Sequence, residues 1–328
     1  LLTVALGETI LGRRGLIKLN LLWLPLATYF SFLEPADRQG LLVSSFLIFL
    51  STTCWALGNI LANDLCDFQA DFEAEKRRWI GALQPQIAGA VITLIFAVGL
   101  GIQIFAGSRH SLCSYVGAMV LGLGYSLKPF RFKEHGAWGV LAYSLACALA
   151  YVAVPYFWTR PEWIWIVILF PVVLLDKWIN LHFHQIIDYD VDSGQGIRTL
   201  AVHLGQARAR KWLTTMSDLS SIVFGLVFIQ IGRQFPGWFV PISVFGGTVL
   251  GLVFLFTRSS RFRPYEASSL IQELPWPYLG TTLALFRTLP VILFFRLALL
   301  NGRMWAVFAA AVVLIGVESF YNLHYQYE

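Results

Sequence analysis

Charge is what this chain has least of. Only 13% of its 328 residues are Asp, Glu, Lys or Arg, against about 25% in an ordinary soluble domain. With 57% hydrophobic residues and a mean hydropathy of +0.65, the water-soluble globular class is excluded and an integral membrane protein is indicated. Cysteine is scarce as well. Cys54, Cys66, Cys113 and Cys147 lie in or at the ends of apolar runs, without metal-ligand spacing. A disulfide framework is therefore not expected, and free thiols in apolar surroundings are. Of the six histidines, His182 and His184 stand two apart on an expected helix. Their side chains would point about 200° apart, so they cannot share one ion. No nucleic-acid partner is expected, and nothing points to a particular protein partner. The chain begins at Leu1 rather than Met, which leaves room for an initial segment ahead of it.

Apolar length is what the chain has in quantity. A membrane span needs about 20 mostly apolar residues. Such runs cover roughly 16–34, 41–62, 86–107, 111–127, 137–157, 162–187, 208–232 and 237–257, with less even ones at 280–300 and 303–322. The expected fold class is an all-α integral membrane protein. Its bundle has about nine spans, or ten, around a central cavity opening on the cytoplasmic side. The run 280–300 carries Arg287, Pro290 and Arg296, so it should be kinked, interfacial or tucked inside the bundle. The 12 Trp, 12 Tyr and 26 Phe suit interfacial belts and an apolar tunnel. No linker composition marks a second domain, so residues 1–328 read as one. The layout is an imperfect repeat of helix, acidic segment, helix, helix and basic segment.

Basic residues give the orientation. Arg13, Arg14 and Lys18 precede the first run, and Lys76, Arg77 and Arg78 follow the second. Lys128, Arg131 and Lys133 follow the fourth; Arg198, Arg208, Arg210 and Lys211 follow the sixth; Arg258, Arg261 and Arg263 follow the eighth. The opposite loops hold only Arg38, Arg109, Arg160 and Arg233. This bias places the first set on the cytoplasmic side, or its organellar equivalent, of a multi-pass protein.

Two aspartate-rich segments end two of these runs on that same face. Asn59, Asn63, Asp67 and Asp71 recur every four residues at the end of the second, and Asp176, Asn180, His184, Asp188 and Asp192 do so along the sixth. Residues four apart stack on one helix face, so the stripes look like opposite walls of one cavity. Helix-terminal solubilising charge would account for Glu73 and Glu75. It does not account for Asp176 and Asn180, which lie two to three turns inside a span. Clustered carboxylates beside lipid are costly unless a cation sits between them. Mg²⁺ carrying a diphosphate is the natural candidate, because hard divalent ions take carboxylate and phosphate oxygens. The segment Tyr125-Ser126-Leu127-Lys128-Pro129-Phe130-Arg131-Phe132-Lys133 supplies cations for the diphosphate, with Lys76, Arg77, Arg78 and Arg198 beside it.

Asn63-Asp64-x-x-Asp67-x-x-x-Asp71, Tyr125-Ser126-x-Lys128-Pro129, and Asp188-x-x-x-Asp192 with Gly196-x-Arg198-Thr199-Leu200 resemble the signature of the UbiA superfamily of intramembrane prenyltransferases. The resemblance extends over roughly residues 10–257. It implies an allylic prenyl diphosphate held through Mg²⁺ between the two acidic segments. Asn63, Asp67, Asp71, Asp188 and Asp192 would be the Mg²⁺–diphosphate residues. Lys128, Arg198 and Arg78 would contact the diphosphate. Tyr125, Arg131 and Asn180 complete the expected substrate-binding set, and Asp67, Asp188, Lys128 and His184 the catalytic one. The chain departs from the family at Trp79, where proline is usual, at Cys66 inside the first motif, and at His184-Gln185. The last pair puts the co-substrate in question, and His184 is a candidate for orienting it or taking its proton.

The expected reaction is Mg²⁺-dependent prenyl transfer from an allylic prenyl diphosphate to a second small-molecule acceptor, an aromatic or quinone precursor, within membrane lipid. Cations stabilise the departing diphosphate, and aromatic faces shield the carbocation until the acceptor captures it. The alternative is a membrane terpene cyclase on the same scaffold, in which the ionised chain attacks itself. A transporter would carry its acidic residues near the bilayer midplane; here they gather at helix ends beside basic loops.

Overall fold

The fold comes from a computed structural model, which describes residues 20–32, 40–68, 83–158, 163–258 and 274–325. Among these it is built from helices throughout. In chain order they are α1 (Asn20–Phe32), α2 (Leu41–Cys66), α3 (Pro85–Ala106), α4 (Arg109–Ser126), α5 (Ala137–Tyr156), α6 (Trp163–Ile187), α7 (Tyr189–Gly194), α8 (Leu200–Leu204), α9 (Gln206–Arg233), α10 (Phe239–Arg258), α11 (Trp276–Leu300) and α12 (Trp305–Tyr325). Every apolar run read from the sequence is a helix. Among the described residues six helices are long and apolar enough to cross a membrane: α2, α3, α5, α6, α9 and α11.

The helices close around a core in which consecutive helices pack together and some pairs distant in sequence do as well. α2 packs on α3 and α4, α4 on α5, and α5 on α6. Continuing round, α6 packs on α9, α9 on α11, and α11 on α1. The two helices that end in acidic segments, α2 and α6, therefore have α4 and α5 between them.

Small residues let these helices approach. With lipid outside and apolar side chains inside, close backbone contact drives association more than hydrophobic transfer does. A Cβ on Gly99 would lie 2.0 Å from the Tyr115 hydroxyl, and one on Gly122 would lie 2.2 Å from Asn59 Oδ1. These two glycines join α3 to α4 and α4 to α2.

The uneven run at 280–300 is one continuous helix. Leu285, Phe286, Leu289 and Leu293 are fully buried or nearly so, which puts this stretch inside the bundle. A π-helical turn at Ala284–Thr288 marks where Pro290 would otherwise collide with the carbonyl four residues earlier. The Thr288 hydroxyl donates to the Leu283 carbonyl over 3.3 Å, supplying a bond to backbone displaced by the irregular turn. The same arrangement recurs at Leu149–Ala153, just ahead of Pro155. Arg296 lays its guanidinium over the Phe235 ring at 4.6 Å, a cation–π contact that keeps the charge partnered inside apolar surroundings.

Candidate active site

Both acidic segments reach one end of the bundle, and the loop between α4 and α5 joins them. On the first side, α2 ends at Cys66, and Asp67 caps it with its N–H bonded to the Asn63 carbonyl at 2.9 Å. Ser126, the last residue of α4, donates its hydroxyl to Asn63 Oδ1 over 2.9 Å. The chain then passes through Arg131, which is left-handed (φ 38°), into a single 3₁₀ turn at Phe132–Glu134. This turn aims two cations back at α2. Lys133 Nζ donates to Asp67 Oδ1, and Arg131 Nη2 stands 3.6 Å from the same oxygen. Arg131 also pairs through Nε with Glu134 at 2.8 Å.

On the second side, α6 runs almost unbroken into α7 through Asp188. The Asp188 N–H bonds the His184 carbonyl at 3.0 Å, and the Asp192 N–H bonds the Asp188 carbonyl at 2.8 Å. Gly196 then takes φ 71°, a conformation that costs glycine little, and turns the chain toward Arg198. There the loops meet: the Gly136 N–H donates to the Arg198 carbonyl at 2.9 Å, and Gly136 pairs with Thr199 as a parallel bridge. Thr199 caps α8 by accepting from Val202 N.

Tyr125 brings the two sides together. It stands in the electrostatic field of Asp67, Asp192 and Asp188 at once, and its ring lies 5.6 Å from that of Tyr143 on α5. Its charge environment therefore draws on carboxylates of both motifs, with Arg131 and Lys133 held against Asp67 on the α2 side. This donor set is all oxygen, and its negative charge has already drawn in two cations, which fits a hard divalent ion. Among the described residues no three His, Cys, Asp or Glu side chains stand close enough to hold an ion unaided. Mg²⁺ tolerates that, since it keeps waters and takes ligands from substrate phosphates.

Asn63, Asp67 and Arg131 stand together at the end of α2, with Ser126 on Asn63 and Arg131 beside Asp67, and Tyr125 precedes Ser126 on α4. Asp188 and Asp192 lie on the second side, which the loop after α4 ties in through Gly136 and Arg198. Lys128 is exposed, next to the cis Lys128–Pro129 bond, and makes no ion pair among the described residues; Lys133, five residues on, is the lysine on Asp67. Arg198 enters through its backbone, with its side chain exposed. His184 is exposed one turn before Asp188, beside Phe183. His182 is buried and its Nε2 lies 3.1 Å from the Ala209 carbonyl, so it ties α6 to α9. Asp71 and Arg78 lie outside the described residues.

Asn180 belongs to a different group. Its Nδ2 donates to the Asp176 carbonyl at 2.7 Å and reaches the Tyr278 hydroxyl at 3.5 Å. Tyr278, on α11, donates to Asp176 Oδ1 at 3.0 Å, and Lys177 Nζ lies 3.8 Å from Oδ2. Twelve residues separate Asp176 from Asp188, roughly 18 Å of helix. The acidic stripe of α6 therefore divides into a group at the helix end, Asp188 and Asp192, and a buried node that locks α6 to α11. No local pattern announces Tyr278, which is 102 residues away.

The same scaffold recurs in solved structures. A UbiA homolog from Archaeoglobus fulgidus bound to GPP and Mg²⁺ superposes with a TM-score of 0.52 at 19% identity, over 82% of this chain and 98% of that one. The structure described for digeranylgeranylglyceryl phosphate synthase gives 0.54 at 16% identity, over 87% and 97%. At these identities the likeness is one of fold. In sequence, a lycopene elongase/hydratase of Halobacterium salinarum is 27% identical over 215 residues, 62% of this chain and 71% of that protein. One from Haloferax volcanii is 24% identical over 233 residues, 66% and 70%. The model of the UbiA prenyltransferase family matches residues 22–274, across both acidic segments and the loop that joins them, and the chain belongs to that family.

Proposed function

We propose that this enzyme transfers a prenyl group from an allylic prenyl diphosphate to an apolar acceptor of the polyene class, at the end of the bundle where α2, α4 and α6 meet. The observation that carries the reading is that the loop after α4 joins the two acidic sides: it holds Lys133 and Arg131 against Asp67, and through Gly136 it bonds the backbone of Arg198, just beyond Asp188 and Asp192. Bound Mg²⁺ would supply charge neutralisation for the leaving diphosphate, held by Asp67, Asp188 and Asp192 with Asn63 and Asp71. Arg131 and Lys133 are placed to take up the negative charge that builds as the allylic C–O bond breaks and its electron pair leaves with the diphosphate. The Tyr125 and Tyr143 rings offer π faces near the cation formed at C1. A double bond of the acceptor then attacks C1, and loss of a proton from the adjacent carbon restores neutrality.

Two lines support an apolar acceptor over the aromatic or quinone precursor expected from the sequence. The curated relatives are named for lycopene, a hydrocarbon. Asn180, expected among the substrate-binding residues, gives its amide to Asp176 and Tyr278 instead. The basic loops of the active end support a cytoplasmic position for it, and we read the whole chain as one domain.

The test is product analysis by mass spectrometry. Membranes containing the enzyme are incubated with allylic diphosphates of graded length and Mg²⁺, with lycopene, with an aromatic or quinone precursor, or with neither. Prenylated polyene that disappears with EDTA, and falls about 100-fold or more in Asp67→Asn and Asp188→Asn, is the expected outcome. Prenylated aromatic alone would reassign the acceptor, and a cyclic terpene formed without acceptor would replace transfer by cyclisation.

A further inference from the structure

Lys133 is 9% exposed, unusually buried for a lysine, and its backbone is pinned. α5 begins so close that a Cβ on Gly139 would lie 2.5 Å from the Phe132 carbonyl oxygen and 2.9 Å from Lys133 Cα. From that base the ammonium donates to Asp67 Oδ1, and Arg131 shares the same oxygen. Two cations therefore converge on a carboxylate oxygen that a divalent ion would need. A bare metal ion approaching Asp67 meets both charges in surroundings that screen less than water. A metal–diphosphate complex meets a different balance. The diphosphate carries more negative charge than its ion neutralises, and its oxygens offer both cations strong new hydrogen bonds.

We propose that Lys133 is a positioning residue that acts as a stand-in cation on Asp67. It holds the carboxylate before substrate arrives and opposes binding of the metal by itself. It then passes its ammonium to the diphosphate when metal and diphosphate enter together. The inference rests on reading Asp67 as part of a metal–diphosphate site. It makes the two ligands synergistic: each raises the other's affinity by the same factor, as linkage requires, and Lys133 sets much of that factor.

Equilibrium dialysis of radioactive Mn²⁺ against the full chain in detergent, with and without inorganic diphosphate, reads this directly. Without diphosphate, Lys133→Met binds Mn²⁺ about tenfold tighter than wild type, and Lys133→Arg binds as wild type does. Adding diphosphate tightens Mn²⁺ binding strongly in wild type and much less in Lys133→Met. Structural damage weakens metal binding, so a gain distinguishes this role from a merely structural one. Lys133→Gln is read by the same criteria should the Met variant fail to fold. Bare Mn²⁺ binding no tighter in the neutral variants, or no synergy in wild type, overturns the proposal. If instead Asp67→Asn matches wild type with and without diphosphate, the metal–diphosphate reading itself falls.

Discussion

Asp67 and Asp176 are both aspartates on four-residue stripes, yet they do unlike things. Asp67 ends its helix and faces Lys133 and Arg131 across a loop. Asp176 is 2% exposed in the middle of α6, and its carboxylate is satisfied by a tyrosine from α11. A charge at that depth is tolerated only with partners. Tyr278→Phe removes one donor while leaving the carboxylate in place. It should cost about 1 kcal/mol and lower the unfolding temperature in detergent. Prenyl transfer measured at a temperature where the variant is folded should change little. A large loss of turnover in folded Tyr278→Phe would show that the node reaches the substrate.

At the scale of elements, irregular helix is placed by proline and satisfied locally. The π turns ahead of Pro155 and Pro290 let α5 and α11 continue through the bundle where an α-helical path would clash. The short 3₁₀ turn at Phe132–Glu134 matters more for chemistry, because α5 rests directly on it. Gly139→Ala places a methyl against backbone that has nowhere to retreat. It should cost roughly 1–3 kcal/mol and reduce turnover by displacing Lys133. Gly101→Ala, where no atom lies within 4 Å of the added carbon, is the control and should leave both unchanged or slightly raise stability. Equal effects in the two variants, measured by thermal unfolding and turnover, would remove the special place given to the Gly139 contact.

For the whole molecule, the site is an end-of-bundle site built from helices that are not consecutive. α4 and α5 stand between α2 and α6, and their loop carries the contacts that join the acidic segments. The proposed cytoplasmic placement of that end, read from its basic residues, is open to a labelling test. A membrane-impermeant thiol reagent should label Lys128→Cys in inside-out vesicles and Arg233→Cys in right-side-out ones. The reverse pattern would invert the topology without altering the chemistry.

The helices, the membrane setting and the motifs of the UbiA family were legible in local sequence. Apolar run length, scarcity of charge and four-residue spacing are properties a helix expresses wherever it sits. Asn63, Asp67, Asp188 and Asp192 could be proposed that way, since they lie at or just beyond the ends of α2 and α6. The choice among cations could not. Lys128 and Lys133 lie in one basic segment and differ only in where the loop turns, which depends on the left-handed Arg131 and on α5 pressing against Phe132. Asn180 shared a stripe with Asp188 but was claimed by Tyr278, a partner 98 residues away. Spacing along one helix fixes which side chains share a face. What that face meets is decided by the other helices, because burial of a polar group is paid for only by the partner that tertiary packing brings to it.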